Sequence, residues 1–386
     1  MIRKVIYIGY QPLTVKVQQD FYFSKVIESG LEVEYWDLSN IYFPNILVDH
    51  LDEEYIIKVN DFKELELRLI NQKKIDCLYV LHITYEYRVI KLFSLLTKYN
   101  CKISFFARGA LPVSGDITPL RIKILKALNP IVLCNFIKNR YAGFQKKRKK
   151  IKCYDFVFSA GELGWLSIGC GANIDKMNSK VINVNSHDYD AFIEANNFKN
   201  IIGNKYCLFL DEYLPHHPDY KLIGMETIDS FLYYTGINDF FDFIEEKFKI
   251  EVVIAAHPKA KNYTIENPFN GRKIIFNETA RLTKFSEFTI AHLSTSQSFS
   301  ILNDKPIISL TSNILKKIMP QRDRFISFFS QTLGSSYINL DEFALEDINC
   351  STVNIQKYEN YKYKYLTSKE SETKITSDVF IKTITE

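Results

Sequence analysis

Apolar runs of strand type alternate with segments of helical spacing along the first half of the chain, and this alternation constrains the fold more than any other feature. The strand-type runs are Val5–Gly9, Leu31–Leu38, Ile75–Ile83, Lys102–Ala107, Tyr154–Ser159 and Lys180–Val184. The helical segments are Val15–Ser29, Phe62–Asn71, Tyr87–Tyr99 and Arg121–Lys152. Repeated strand and helix units predict a doubly wound parallel sheet with right-handed crossovers.

The second half of the chain repeats this α/β alternation. Its strand-type runs are Tyr206–Leu210, Glu251–Ala256, Lys273–Phe276, Phe288–Ala291 and Pro306–Leu310. Its helical segments are Thr227–Phe248, Glu278–Phe285 and Ser296–Asn303. A polar stretch at 196–205 predicts a linker, and 386 residues suit two domains. We therefore expect domains at 1–195 and 196–340, followed by a polar tail at 341–386 that packs back on the N-terminal domain or frays.

The composition excludes several classes of protein. Hydrophobic residues make up 46% of the chain and charged residues 24%, which is typical of globular and not of disordered proteins. The seven cysteines are scattered without a CxxC pair, which favours free thiols in a reducing cytoplasm over zinc ligands. No run of about 18 apolar residues occurs, and the first residues lead into a strand without a secretory signal. We expect a cytoplasmic protein that binds at most the inner face of the membrane.

Three strand-type runs of the second half end in residues that can hold a charged ligand. The first run is followed by Asp211, Glu212, His216 and His217. The second is followed by His257, Pro258 and Lys259, and the third by Ser294, Thr295 and Ser296. Because the carboxyl ends of parallel strands share one edge of a sheet, these clusters should converge on one crevice.

The order of the three clusters resembles the motifs of the bacterial CMP-sialic-acid transferases and the related Kdo transferases of GT-B fold. In those families an acidic pair followed by Gly supplies the base, while a His-Pro motif and a serine pair hold the CMP phosphate. The pairs Asp211–Glu212 and His257–Pro258 and the segment 294–296 match these motifs, but Tyr213 stands where the family has Gly. The resemblance implies two doubly wound Rossmann-like domains facing across a cleft. It also implies a glycosyltransferase of bacterial surface polysaccharide (O-antigen, capsule or lipooligosaccharide) with a CMP-nonulosonate or CMP-Kdo donor.

Other donors, and a role without catalysis, are alternatives that the motifs leave open. CDP-glycerol polymerases of teichoic-acid synthesis also carry a His-Pro element. The chain is therefore also compatible with a CDP-glycerol-type transferase or with a UDP- or GDP-sugar transferase. A nucleotide-sugar-binding assembly protein would keep the phosphate-binding cluster and would need no base at Asp211.

The residue types fit glycosyl transfer on chemical grounds as well. An acceptor hydroxyl needs a base, and Asp211 is the first candidate, with Glu212 and His216 next. The leaving phosphate gains negative charge, which His257 and the hydroxyls and amides of 294–296 can offset without a metal ion. A single base without a second nucleophile favours one-step inversion. Each residue also has a structural interpretation, as a turn acid, a core histidine or a helix cap.

The remaining candidate residues are expected to contact the acceptor or to line the cleft. They are Arg108, Glu162, His187, Asp188 and His217. Asp188 and Asp190 form a DxD sequence, the element that holds a divalent metal in the other large glycosyltransferase fold. The position of this sequence, late in the first half, favours an interdomain loop, and we predict no metal requirement and no other cofactor.

The segment Lys138–Lys152 is strongly basic and carries aromatic residues between its charges. It is either a solvated helix face or a surface that holds anionic lipid headgroups or a lipid-linked phosphate. Nucleic acid is a weaker alternative, because no stacking motif accompanies the charge and the formal net charge is only +4. We expect peripheral contact with an anionic membrane and no nucleic-acid partner. The other expected partners are a nucleotide-sugar donor and a glycan or lipid-linked acceptor.

Overall fold

Two parallel β-sheets organise the chain in the computed structural model, which describes residues 2–44, 51–72, 76–112, 129–195, 197–217, 220, 226–348 and 350–386. Each sheet lies in its own compact unit. The first unit contains the described residues up to 110, those at 129–187 and those at 363–386. The second contains those at 188–362 together with 111–112. The boundary between the units lies at 187/188, before the boundary expected at 195/196. The end of the expected tail, residues 363–386, belongs to the first unit.

The first sheet has seven strands in the order β3-β2-β1-β4-β5-β6-β7, and every pair is parallel. The strands are β1 (Lys4–Gly9), β2 (Glu32–Asp37), β3 (Ile56–Lys58), β4 (Cys77–His82), β5 (Lys102–Ala107), β6 (Phe156–Ala160) and β7 (Lys180–Val184). The chain leaves β1 toward β2 on one side and later returns to β4 on the other. The direction of winding therefore reverses between β1 and β4.

Helices cover both faces of the first sheet. They are α1 (Val15–Asp20), α2 (Phe23–Glu28), α3 (Ser39–Tyr42), α4 (Phe62–Gln72), α5 (Ile90–Lys98), α6 (Pro130–Lys147), α7 (Ala172–Asn178) and the C-terminal α15 (Thr376–Thr385). Helix α8 (His187–Ala195) begins at the unit boundary and otherwise belongs to the second unit. Successive residues of β1 enter opposite cores: Ile6 and Ile8 pack with Trp36, whereas Val5 and Tyr7 pack with the opposite cluster. Burial on both faces explains why the strands are continuously apolar.

Two predicted helices of the first unit have different bounds in the structure. The segment Val15–Ser29 is split into α1 and α2, because Tyr22 adopts a left-handed φ of 61° that a continuous helix cannot contain. Helix α6 begins at Pro130, where the Asn129 side chain accepts a hydrogen bond from the Ile131 amide at 3.0 Å. The predicted residues 121–128 lie outside the described residues.

The second sheet has six parallel strands in the order β10-β9-β8-β11-β12-β13. They are β8 (Tyr206–Leu210), β9 (Glu251–Ala256), β10 (Ile274–Phe276), β11 (Thr289–Ala291), β12 (Ile307–Thr311) and β13 (Ser336–Asn339). The other helices of this unit are α9 (Ser230–Phe248), α10 (Thr279–Phe285), α11 (Gln297–Leu302), α12 (Asn313–Ile318), α13 (Pro320–Leu333) and α14 (Ile355–Tyr361). Winding reverses between β8 and β11. The predicted α/β class with two doubly wound sheets is confirmed.

Candidate functional site

The reversal of winding in the second sheet places two of the predicted clusters side by side. Asp211 and Glu212 directly follow β8, and the segment 292–296 directly follows β11, the neighbouring strand. A Glu212 carboxylate oxygen accepts a short hydrogen bond from the Leu293 amide, so the two strand ends are in contact. In open α/β sheets, ligands bind in the crevice at such a reversal, because the loops on its two sides diverge from there.

Asp211 joins the loop after β8 to the loop after β9. Its Oδ1 accepts from the Tyr213 amide at 3.0 Å, and its Oδ2 accepts from the His257 amide at 3.3 Å. The residue is only 4% exposed, and burial raises the pKa of its carboxyl group to about 6. With both oxygens bound by backbone amides, Asp211 fixes the geometry of two loops. Its role as the base stays a prediction.

The raised pKa of Asp211 predicts a specific pH dependence of stability. Its folded value of about 6 lies above the ordinary 3.8, so the native state binds a proton at a pH where the unfolded state does not. The contribution of Asp211 therefore becomes more favourable as the pH falls from 7 to 4, by about 2 kcal/mol in all. Urea unfolding of wild type and Asp211→Asn should show a difference in stability that changes by this amount over that range. The exposed control Asp239→Asn should show a constant difference, and a constant difference for Asp211→Asn as well would contradict the prediction.

Tyr213 occupies the position at which the resembling motif has Gly. Its φ of 52° lies in the left-handed region, which favours glycine over a bulky side chain. The ring is buried and lies 5.2 Å from the Tyr263 ring, edge to face, and 5.5 Å from the His216 ring. The departure from the motif thus keeps a glycine-like backbone and adds an aromatic contact to the loop.

Arg322 is a site residue that the sequence analysis missed. Near the start of α13, its guanidinium forms a short ion pair with Glu212, and both side chains are largely buried. Burial lowers the pKa of Arg322 to about 10, so it remains protonated at neutral pH. Its Nε is buried without a hydrogen-bond partner. No local motif reveals this residue, because its partner lies on a distant part of the chain.

His217, after β8, lies close to His257, after β9. The His217 and His257 rings are 4.9 Å apart, and the Lys259 amide donates to Nδ1 of His257 at 3.2 Å. Pro258 lies between His257 and Lys259 and restricts the backbone of this turn, because its ring fixes φ. His216 points elsewhere: it lines a pocket of about 520 Å³ with Tyr213, Ser230, Phe231, Tyr234, Thr235, Asn238, Asp239, Asn262, Tyr263, Glu266, Pro268 and Asn270.

The Ser/Thr segment after β11 forms the turn that enters α11. Ser294 Oγ accepts from the Ser296 amide at 3.2 Å and donates to the Ser296 hydroxyl at 3.1 Å. The carbonyls of Ser294, Thr295 and Ser296 accept from the next three amides, so the segment is already helical in character. All three residues lie at the crevice, and their turn is ordered by contacts within the segment.

His292, which the sequence analysis did not select, is a core residue. It is 1% exposed, and burial lowers the pKa of its imidazole to about 4. The neutral ring donates from Nδ1 to the Leu310 carbonyl at 2.9 Å and accepts at Nε2 from the Tyr233 hydroxyl at 3.1 Å. Both ring nitrogens are therefore occupied by hydrogen bonds within the core.

The acceptor or cleft candidates do not form one cluster. Arg108 and His187 lie together in the first unit, close to Asp20, whereas Glu162 is exposed on the loop after β6. Asp188 and Asp190 lie in the first turn of α8, where residues two apart point in different directions. Within the described residues, no group of three or more His, Cys, Asp or Glu side chains is arranged to hold a metal ion.

Comparison with known proteins identifies the fold. No protein-family model matches the chain, and no curated protein sequence matches it either. The wall teichoic acid polymerase TagF, as its H548A variant, is 9% identical, and the match covers 99% of this chain and 88% of that chain with a TM-score of 0.51. TagF H444N with CDPG matches with the same identity and coverage and a TM-score of 0.50. The UDP-GlcNAc 2-epimerase of Methanocaldococcus jannaschii is 13% identical over 100% of this chain and 99% of that chain, with a TM-score of 0.44. The chain therefore has a GT-B-like α/β fold.

Proposed function

We propose that this chain is a glycosyltransferase of bacterial cell-surface polysaccharide biosynthesis, and that its second unit binds a nucleotide-activated donor where β8 and β11 separate. The observation that carries the proposal is the convergence at this point of the Glu212–Arg322 pair, the turn 294–296 and the loop that begins at His257. A buried cation, a histidine and a turn rich in hydroxyls are groups that recognise a phosphate.

The proposed chemistry requires the enzyme to stabilise the negative charge that develops on the leaving nucleotide. Arg322 is protonated and its Nε has no partner, so it can turn part of its charge toward a phosphate. His257 and Lys259 add a hydrogen bond donor and a second cation from the neighbouring loop. These protein cations support a reaction that needs no divalent metal, and treatment with EDTA should leave the rate unchanged.

We propose two classes of donor, ranked by the support that each has. The motifs resemble those of CMP-nonulosonate and CMP-Kdo transferases, which makes a CMP-linked sugar the first candidate and inversion the expected outcome. The second is a CDP-linked donor, because TagF shares the fold and its H444N variant was soaked with CDPG. UDP- and GDP-sugars complete the panel, and binding of a nucleotide without turnover of any donor would instead indicate a non-catalytic assembly protein.

A donor panel tests the proposed function directly. CMP, CDP, UDP and GDP are compared by their effect on the melting temperature, since a ligand of the native state raises it. We expect a cytidine nucleotide to give the largest rise. His257→Ala and the triple alanine variant of 294–296 should reduce this rise by at least half while leaving the smaller effect of the free nucleoside, because the lost contacts are to phosphate.

The control for the serine variant is Ser351→Ala with Thr352→Ala, two exposed residues of the same unit. Hydrolysis or transfer of the matching activated sugar then identifies the donor. If no nucleotide changes the melting temperature and no donor is turned over, the proposed function is wrong.

We further propose that helix α6 holds the protein at an anionic membrane. The helix exposes Ile131, Leu133, Phe136, Ile137, Tyr141 and Phe144, of which Ile131 is 71% exposed. Exposed cations accompany them at Lys138, Arg140, Lys147, Lys149 and Lys150. The described residues contain no helix that is both long and apolar enough to span a bilayer. Apolar side chains flanked by cations suit the interface of an anionic leaflet.

The surface is smaller than the basic segment Lys138–Lys152 in the sequence. Lys146 is buried against Asp175, and Lys152 is bound to the Cys101 carbonyl and to Asp155. Neither side chain is available to a lipid headgroup, because each already has a fixed anionic or carbonyl partner. The membrane surface therefore consists of the other charges of this segment together with the exposed apolar residues of α6.

The membrane proposal predicts salt-sensitive sedimentation with vesicles that contain anionic lipid. Each basic residue near the surface contributes roughly 1 kcal/mol, and this attraction is screened by salt. The triple variant Lys147→Gln, Lys149→Gln, Lys150→Gln should lose most of its binding at low salt. The matched control replaces Lys25, Lys58 and Lys63, three exposed lysines of the same unit, and should bind like wild type. Equal binding by both variants would show that the charges form only a solvated face.

A further inference from the structure

The pocket of about 520 Å³ that His216 lines lies wholly within the second unit, and we call it the α9 pocket. Residues 230–239 of α9 form one wall, residues 262–270 form the other, and Tyr213 and His216 also line it. These segments belong to the connections from β8 to β9 and from β9 to β10. None of the described lining residues follows β11, the strand across the reversal of winding. The volume lies within the range of pockets that bind small ligands, about 300–1,000 Å³.

Aromatic rings form the apolar part of the α9 pocket. The Tyr234 and Tyr263 hydroxyls are 3.0 Å apart, and the Tyr213 ring lies edge to face against the Tyr263 ring. The His216 and Tyr234 rings are 6.4 Å apart and nearly parallel, at 29°. Phe231 lines the same pocket and is 75% exposed, so a bound ligand would cover it. Ring faces of this kind offer an apolar surface to the C–H face of a sugar ring, with polar tips at the edge.

The polar side chains of the α9 pocket are acids, amides and hydroxyls. Asp239 and Glu266 are exposed, and among the described residues neither forms an ion pair. The exposed amides of Asn262 and Asn270 and the hydroxyl of Thr235 complete this set. Carboxylates accept strong hydrogen bonds from hydroxyl groups, and side-chain amides both donate and accept. The set therefore suits a ligand that carries several hydroxyls.

The charges of the α9 pocket disfavour a phosphate as its ligand. None of the described residues that line it is Lys or Arg. Arg272 lies behind the wall, where Nη1 donates to Asn238 at 3.2 Å and Nη2 pairs with Asp242 and Glu245. An anionic ligand would thus meet two carboxylates and no lining cation. An ammonium group, which has donors only, would leave the amide and hydroxyl donors of the pocket unpaired. A neutral ligand with hydroxyls uses both kinds of group.

Tyr213 joins the α9 pocket to the crevice. Its backbone amide donates to Asp211 at 3.0 Å, while its ring lines the pocket. The left-handed φ of 52° favours glycine, so this backbone is strained for a tyrosine. Strain of this kind is concentrated at functional sites. The strained position supplies a ring to the pocket that glycine would not.

We propose that the α9 pocket binds a neutral sugar of the glycan on which the enzyme acts, as a carbohydrate site separate from the nucleotide site. The sugar ring packs on the aromatic side chains. Its hydroxyls donate to Asp239 and Glu266 and pair with the amides of Asn262 and Asn270. The glycan can therefore stay bound while the nucleotide leaves. The glycan as ligand rests on the proposed transferase function, whereas the binding test needs neither donor nor turnover.

Saturation-transfer NMR without nucleotide tests this site. At millimolar concentration, at least one of lactose, maltose and chitobiose should bind the wild type, whereas glucose 6-phosphate and choline should not. Glu266→Ala should weaken the saccharide about tenfold or more, as expected when a hydrogen bond to a charged group is lost. Phe231→Ala should weaken it about two- to tenfold, through loss of ring packing. The matched controls are Glu246→Ala and Leu232→Ala, exposed residues of α9 that do not line the pocket, and they should bind like wild type.

The melting temperatures of the four variants should equal that of wild type, because each replaces an exposed side chain. Absence of saccharide binding to wild type, stronger binding of choline, or equal binding by all four variants would overturn the proposal and leave the proposed function standing. If Glu266→Ala weakens only the activated sugar and not the free saccharide, the pocket belongs to the donor site and the separate site is wrong. If saccharides bind as expected but no nucleotide does and no donor is turned over, the proposed function falls and the carbohydrate site stands.

Discussion

Replacing Lys146 by glutamine should destabilise the protein by about 3–5 kcal/mol in urea unfolding, although the residue belongs to a run of basic residues. The side chains of Lys146 and Asp175 form a short ion pair and are both 0% exposed. The Lys146 ammonium also lies 4.3 Å from the centre of the Tyr85 ring and 4.6 Å from that of Tyr154. Burial lowers the pKa of Lys146 and raises that of Asp175, which disfavours each charge, and the contact between the two groups offsets part of this cost.

The comparison with Lys147→Gln makes this prediction specific. Lys147 is the next residue of α6 and is exposed, so its substitution should change stability by no more than about 0.5 kcal/mol. The double variant Lys146→Met, Asp175→Leu should recover part of the loss, since it leaves no unpaired charge. Recovery will be incomplete, because Asp175 also accepts from the Tyr154 amide at 3.3 Å. Equal stability of the two single variants would contradict the buried pair.

Lys146 also shows why the sequence could not resolve the surface of α6. Composition marks the run around it as basic, and a basic run is usually solvated. Helical periodicity places Ala142 and Lys146 on one face, and both are buried, but the aromatic residues around the run obscure this face. Burial of the Lys146 charge requires a compensating acid, and this acid, Asp175, lies on another helix. Long-range pairing of this kind leaves no local signal.

The fold was more accessible to prediction than the site. Continuous apolar runs such as Ile75–Ile83 are a local consequence of burial on both faces of a sheet, so most strands are visible in the sequence. Strand β13 was not predicted, because its four residues include only one fully buried apolar side chain, Ile338. The split between α1 and α2 was also missed, since the left-handed φ of Tyr22 is not a property that tyrosine favours.

The candidate site residues also differ in whether a local sequence signal marks them. The groups after β8, β9 and β11 stand at strand ends, and a strand end can be read from its own sequence. Arg322 lies on helix α13, and its partner Glu212 is distant along the chain. Its selection required the order of strands in the second sheet, which sequence patterns do not specify. The strand-end residues could therefore be selected from the sequence, whereas Arg322, which pairs with Glu212, could not.

Replacing Arg322 by glutamine should give the second large effect, a loss of about 3 kcal/mol in stability together with weaker binding of nucleotide. The substitution leaves Glu212, whose side chain is 9% exposed, without its cation. Glu212 then retains the Leu293 amide as a partner, so the strand ends stay joined while the carboxylate is poorly compensated. If Arg322 faces the donor phosphate as proposed, the affinity for nucleotide should fall at least tenfold more than that for nucleoside. Arg324→Gln, which alters the next arginine of α13, is the matched control.

A double-mutant cycle separates the two roles of Arg322. In stability, Glu212→Gln combined with Arg322→Gln should lose less than the sum of the single variants, because the unpaired charge is removed. In nucleotide binding, the double variant should remain as weak as Arg322→Gln, because the cation that contacts the phosphate is still missing. Isothermal titration with nucleotide and nucleoside, alongside urea unfolding, measures both cycles. If binding recovers together with stability, Arg322 supports the fold alone and the phosphate contact must be assigned to His257 and Lys259.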